Sequence, residues 1–282
     1  MQCMITFLAK KRADRLDGPI HGGEHERGIA VFAAVAATLL LSYSTPALTG
    51  EAAPTVTVPD ASVPAAIAGA IADANRPQAN VALDARRKPA EMLTFAGVKP
   101  GDKVLELVPG QGYVTRLLAK TVGPAGHVYA TNLPTFNETL KTGVDPIIAN
   151  PAYGNVSKIE QPFGQLLLSE PLDVVWTSEN YHDFKNMGMF STDTNAMDRA
   201  VFAALKPGGT YIVTDYVAAA GSGMRDTQSL HRIDPDVIKR EVTAAGFTLE
   251  AESNALMNPS DNLTARSSQG ASQVMFRFRK PR

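Results

Sequence analysis

Cysteine is almost missing from this chain of 282 residues: there is one, Cys3, close to the start. A single cysteine excludes an internal disulfide. If the first residues are removed, thiolate catalysis and cysteine metal sites go with them. A chain without cysteine tolerates an oxidising compartment without mispairing, although the absence names no compartment. Tryptophan is also single, and Trp176 sits in an apolar run that reads as a core strand. No charge of either sign dominates. Lysine and arginine number 27, aspartate and glutamate 28, and the formal net charge is -1. The basic surplus of a protein that grips nucleic acid by bulk electrostatics is therefore lacking, and no nucleic-acid partner is expected. There is no apolar run of about 20 residues such as a membrane-spanning helix requires, and no internal repeat. What remains is ordinary globular composition, 44% apolar and 20% charged.

The first 47 residues have their own character. Lys10, Lys11, Arg12, Arg15 and Arg27 precede the uncharged run Ile29–Leu41, and Ser42-Tyr-Ser-Thr-Pro-Ala47 follows. A basic region, a short apolar run and a small-residue exit are the parts of a secretory signal. Residues 1–47 are thus expected to be a signal peptide or an uncleaved anchor, with a periplasmic or secreted protein, or a membrane-anchored one, as the outcome. Transient membrane contact would run through this segment. Residues 48–62, rich in Pro, Thr, Val and Ala, read as an extended linker.

Residues 63–282 alternate helical and strand patterns, which predicts an α/β, Rossmann-like domain. Its sheet should be mostly parallel and seven-stranded, with helices on both faces. Ser62 and Pro64 are expected to open a helix running to about Arg76. Lys88-Pro89 opens another, closed by Gly97. Strands are expected at Lys103–Leu107, Gly126–Thr131, Asn155–Ile159, Leu172–Thr177 and Thr210–Asp215. Helices are expected over Gly112–Thr121, Pro134–Ile148, Thr192–Leu205 and from Asp234-Pro235 to Gly246. Lys206-Pro-Gly-Gly209 reads as a turn. Phe247–Glu252 and Gln273–Phe278 read as an antiparallel edge hairpin. The alternating charges of Arg277-Phe-Arg-Lys-Pro-Arg282 read as edge protection.

Gly110-Gln-Gly112 stands between the first strand and the helix after it, where glycine lets the backbone turn sharply and approach a ligand. Several stretches carry a wider likeness: Lys99–Thr115, Gly123–Ala130, Leu172–Val175, Leu205–Gly209 and Ala245–Phe247. In order and spacing, over roughly residues 86–280, they resemble the class I S-adenosylmethionine-dependent methyltransferases. Arg87–Glu91, Asn180–Asp183 and His231–Asp234 look like signatures of a bacterial group within them, many of whose members carry export signals. The resemblance implies S-adenosylmethionine as cofactor. It assigns Glu106, Gly110 and Gly112 to the methionine part, with Tyr113 adjacent, Asn132 at the place of the ribose-binding acid, and Asn180 in the same set. Two departures stand out. Val108 replaces the first glycine of the usual loop, and uncharged Asn132 replaces a carboxylate.

Methyl transfer needs donor and acceptor held in line and, for many acceptors, a base. Ser178-Glu-Asn-Tyr-His-Asp183 follows the fourth strand and supplies the candidates: Tyr181 to orient an acceptor, His182 as a base near neutral pH and Asp183 to steer it. The bland reading is a polar loop with Asp183 as a cap. Asp215 and Tyr216 end the fifth strand. Asp234 reads first as a helix cap, and His231 either faces substrate or packs at the surface. His182, Asp183 and His231 have no tight ligand spacing, so no metal site is expected. Arg86-Arg87-Lys88 reads as a solvated helix face. Two functions stay open: methyl transfer to a small-molecule or envelope acceptor, and a non-catalytic exported binding protein that keeps the fold, as Val108 and Asn132 would suit.

Overall fold

The strand segment Lys103–Leu107 is apolar except at Lys103 and Glu106, so neither of its faces suits water. In the computed structural model, which describes residues 63–268 and 270–282, it is an interior strand of a seven-stranded sheet ordered β3-β2-β1-β4-β5-β7-β6. The signal and linker readings, Ser62 included, lie outside the described residues. The strands are β1 (Lys103–Leu107), β2 (His127–Asn132), β3 (Val156–Glu160), β4 (Leu172–Ser178), β5 (Leu205–Tyr216), β6 (Thr248–Ser253) and β7 (Gln273–Arg279). β1 to β5 pair in parallel, and β7 runs antiparallel to both β5 and β6. The mostly parallel sheet with an antiparallel hairpin at one side is as the sequence implies.

Four helices precede the sheet: α1 (Ala65–Ile71), α2 (Gln78–Val81), α3 (Asp84–Arg87) and α4 (Pro89–Ala96). Then come α5 (Tyr113–Val122), α6 (Glu138–Lys141), α7 (Asp145–Ile148), α8 (Thr194–Ala204), α9 (Thr227–Leu230) and α10 (Pro235–Ala244). The period of two along each strand splits the core. Val104, Trp176 and Ile212 point to one side with Leu93 of α4 and Leu117 of α5. Leu105, Val175 and Val213 point to the other with Val201 of α8 and Ile238 of α10. Helices thus cover both faces, and Trp176 is fully buried in the core.

Local signals account for the well-placed boundaries. Pro89 begins α4, and Gly97 ends it at φ 72°. Asp234 caps α10, accepting from the Asp236 N–H at 3.1 Å. Four expectations need correction. α1 stops at Ile71. Pro134–Ile148 is two short helices, because Asn137 caps a new start by accepting from the Leu140 N–H and Gly143 lies between them. Lys206–Gly209 is a bulge inside β5: Leu205 pairs with Leu172 and Thr210 with Val174. Last, β7 is not the edge. It is inserted between β5 and β6, and Arg277 and Arg279 both grip Glu250 of β6 at 2.7 Å.

Candidate functional site

Strand order reverses between β1 and β4, and in open parallel sheets ligands bind beyond the carboxyl ends of the strands at such a point. A cleft of about 310 Å³ lies there. A larger hollow of about 580 Å³ sits beside Lys103 and His127, at the amino ends of β1 and β2.

Three residues of the loop after β1 are left-handed: Val108 at φ 56°, Gly110 at 55° and Gly112 at 73°. Valine there is an outlier, since its branched side chain crowds the backbone. Its N–H still donates to the Thr131 carbonyl at 2.9 Å, extending the β1–β2 ladder. The backbone therefore follows the glycine path without a glycine. A Cβ on Gly112 would stand 2.1 Å from Ile147 Cδ1, whereas one on Gly110 would meet nothing within 4 Å. The loop's open face is at Gly110.

Of the residues the sequence grouped, Glu106, Gly110, Tyr113 and Asn180 line this cleft, and Gly112 does not. Glu106 is buried and accepts from the Thr115 hydroxyl at 2.6 Å; burial pushes its pKa up to about 7, partly offset by that hydrogen bond. Tyr113 donates its hydroxyl to Asp84 at 2.8 Å, and the Arg87 guanidinium lies 4.7 Å from its ring centre. Asn180 Nδ2 donates to the Val108 carbonyl at 3.4 Å, tying the β4 loop to the glycine loop. Asn132 is different. It is fully buried, its Nδ2 reaches the Leu140 carbonyl at 3.4 Å, and its Oδ1 has no partner. It is not among the residues lining the cleft.

Other parts of the wall carried no clear signal in the sequence. Asn80, Leu83 and Arg87 come from the helices ahead of the sheet, with Leu140 and Phe190 beside them. Arg87 is not a solvated residue on a helix face: it pairs with Glu179 at 2.7 Å, and Glu179 also accepts from Gln273 at 2.9 Å. Gly143 packs so closely that a Cβ would lie 2.2 Å from the Gly110 carbonyl oxygen.

The three catalytic candidates separate. Tyr181 points away, fully buried, with its hydroxyl 2.8 Å from Asp198 and 2.9 Å from Glu241. Those carboxylates belong to α8 and α10, so Tyr181 is a core residue and touches no acceptor. His182 is buried against Asp215, which accepts from its backbone N–H and lies 2.7 Å from Nδ1. Burial opposes charge on this ring, but the Asp215 carboxylate and then Asp183 outweigh it and raise the pKa to about 10. The ring therefore sits between two carboxylates, an arrangement that works against the expected role of a base near neutral pH. Asp183 stays partly exposed, and His231, 48 residues away in sequence, comes to meet it at 3.1 Å. Asp215 lies fully buried beneath this group.

No protein-family model matches the chain. A ubiquinone/menaquinone biosynthesis C-methyltransferase, UbiE, of Vibrio campbellii is 30% identical over 122 residues, 43% of this chain and 44% of that protein. UbiE of Vibrio parahaemolyticus is 29% identical over 140 residues, 48% of this chain and 51% of that protein. The chain thus spans about half the length of these curated relatives. Among solved structures, a protein of Bacillus halodurans assigned as a methyltransferase matches with a TM-score of 0.52 at 16% identity, covering 68% of this chain and 98% of that one. The [4+2]-cyclase SpnF matches with 0.51 at 14% identity, covering 70% and 81%. The fold is that of the class I S-adenosylmethionine-dependent methyltransferases, and SpnF shows that a cyclase is also built on it.

Proposed function

We propose that this domain binds S-adenosylmethionine in the cleft beyond β1 and β4 and transfers its methyl group to a small-molecule or envelope acceptor. One observation carries the reading: the left-handed Val108–Gly112 loop at the carboxyl end of β1 forms one wall of a cleft that also presents Glu106, Tyr113 and Asn180. The likeness to methyltransferases in sequence supports it and does not favour the non-catalytic alternative.

The residues present fit the cofactor. Gly110 leaves open space where any side chain would stand, so the backbone can lie against a ligand. The unpartnered Oδ1 of Asn132, at the end of β2, is an acceptor for a ribose hydroxyl once Leu140 gives way. Bound there, the cofactor would supply a methyl group on a positively charged sulfur. The protein's part is to hold the acceptor in line and keep water out. Asp183 and His231, both partly exposed, are the groups we assign to an acceptor, with His182 as a positioning residue behind them. Titration of the full chain with S-adenosylmethionine in a calorimeter is expected to give saturable heat. Gly110→Val, which fills the open face, is expected to weaken binding at least tenfold. No heat at millimolar cofactor overturns the reading.

Among the described residues no helix is long and apolar enough to cross a membrane. The basic, apolar and small-residue order of residues 1–47 supports export, with transient membrane contact through that segment. Sequencing the mature protein from its host should find a start beyond residue 47. An intact Met1 in the soluble fraction would defeat export.

A further inference from the structure

We propose that His182, Asp183 and His231 form a binding site for one divalent transition-metal ion of the zinc class. The site is distinct from the cofactor cleft and does not depend on it. Its basis is a triangle of donor atoms. His182 Nε2 lies 3.2 Å from His231 Nδ1 and 3.3 Å from Asp183 Oδ1, and His231 Nδ1 lies 3.1 Å from Asp183 Oδ1. Zinc binds nitrogen and oxygen at about 2.0–2.2 Å, which gives ligand-to-ligand edges of roughly 3.3–3.6 Å in a tetrahedron. An octahedral centre with bonds of about 2.1 Å has edges near 3.0 Å. All three observed edges fall within or next to these values, so an ion needs little movement to sit above the triangle.

Hydrogen bonding among the three groups would give similar distances, and three further features favour the ion. First, Asp215 is fully buried and lies 2.7 Å from His182 Nδ1. A carboxylate that accepts from one ring nitrogen turns the other nitrogen's lone pair outward, as it does for metal-bound histidines. Second, two imidazole nitrogens face each other across 3.2 Å. A proton shared between the two rings fills that gap in the metal-free protein, and a cation that displaces it would take a lone pair from each ring. Third, His231 is the left-handed residue that closes α9, at φ 49°, and its Nδ1 stands on the triangle. The side chains of Asp183 and His231 are 16% and 25% exposed. The open side leaves a fourth position for water or for an oxygen of an acceptor, as catalytic zinc sites do.

The protein also has His21, His25 and His127, so metal binding alone does not decide the matter. The test uses the full chain, stripped with a chelator and titrated with Co²⁺ and then Zn²⁺, followed by calorimetry and by the visible absorption of Co²⁺. Expected is one ion per chain, with at least a tenfold weaker affinity in both His231→Gln and Asp183→Asn and an unchanged thermal midpoint of the metal-free proteins. Asp215→Asn is expected to weaken binding by about 10–100-fold while leaving the ligands in place. Absence of saturable binding overturns the proposal, and so does equal affinity in the parent, His231→Gln and Asp183→Asn. S-adenosylmethionine titrated into the metal-free parent is read separately, so failure of one site is distinguishable from failure of the other.

Discussion

Val108 is the residue at which the chain departs from the glycine loop it resembles, and its backbone shows why the departure is tolerated. At φ 56° it occupies a region that costs an L-residue about 1–2 kcal/mol, yet it is only 7% exposed and packs with Leu105, Leu107 and Val175. Packing offsets strain. The balance predicts an unusual order of variants. Val108→Ala loses the packing and keeps most of the strain, and is expected to lose about 1–2.5 kcal/mol. Val108→Gly loses slightly more packing but sheds the strain, and is expected to be as stable as the alanine variant or more so by about 0.5–1 kcal/mol. In an ordinary strand the order is the reverse. Denaturant unfolding of the pair checks it: a glycine variant clearly less stable than alanine would mean that Val108 is unstrained.

At the scale of elements, what was legible follows what is local. β1 has the predicted ends because its buried run stops at the glycine loop, and α4 and α10 have them because Pro89, Gly97 and Asp234 mark boundaries by their own chemistry. The order of strands is not local, so nothing in Gln273–Arg279 announces that it slips between β5 and β6. The cleft shows the same divide. Glu106, Gly110, Tyr113 and Asn180 converge because they lie at or just beyond the carboxyl ends of β1 and β4, while His231 reaches Asp183 only through the fold. Tyr181 is the instructive error. Lying between Asn180 and His182, it shares their sequence context, but its ring turns inward to join the β4 loop to α8 and α10. One hydroxyl proton serves two carboxylates, and burial, together with Glu241, raises the Asp198 pKa to about 7, so Asp198 can hold a second proton. Tyr181→Phe strands the buried Asp198 without a donor, while Glu241 keeps Lys185 and Thr194, and is expected to cost about 1–3 kcal/mol in denaturant unfolding, with S-adenosylmethionine affinity unchanged. Weakened binding at full stability would return Tyr181 to the site.

For the whole molecule, the buried acids set an uncommon dependence of stability on pH. Glu106 and Asp198 both titrate near 7 in the fold, pushed up first by burial, against 4.5 and 3.8 as their ordinary values. The folded state therefore binds more protons than the unfolded one between about pH 4 and 7, and stability must fall as pH rises through that window. The stability these protons confer is complete below the unfolded values and is gone above the folded ones. Asp73 and Asp261 act in the opposite sense at lower pH. Despite burial, hydrogen bonds from Tyr153 to Asp73 and from the Ser272 N–H and Arg232 to Asp261 hold them below the usual carboxylate range. Their contribution is present above about pH 4 and is lost on acidification. The two trends together place the stability maximum of the ligand-free protein near pH 4, and His182, raised from 6.5 to about 10, adds to a loss of up to a few kcal/mol by pH 8. Urea unfolding between pH 4 and 8 measures this directly. Glu106→Gln, neutral at every pH and able to keep a hydrogen bond with Thr115, is expected to flatten the limb between pH 5 and 7. A parent protein equally stable at pH 5 and 8 would mean that both acids are ionised in the fold and that water reaches them.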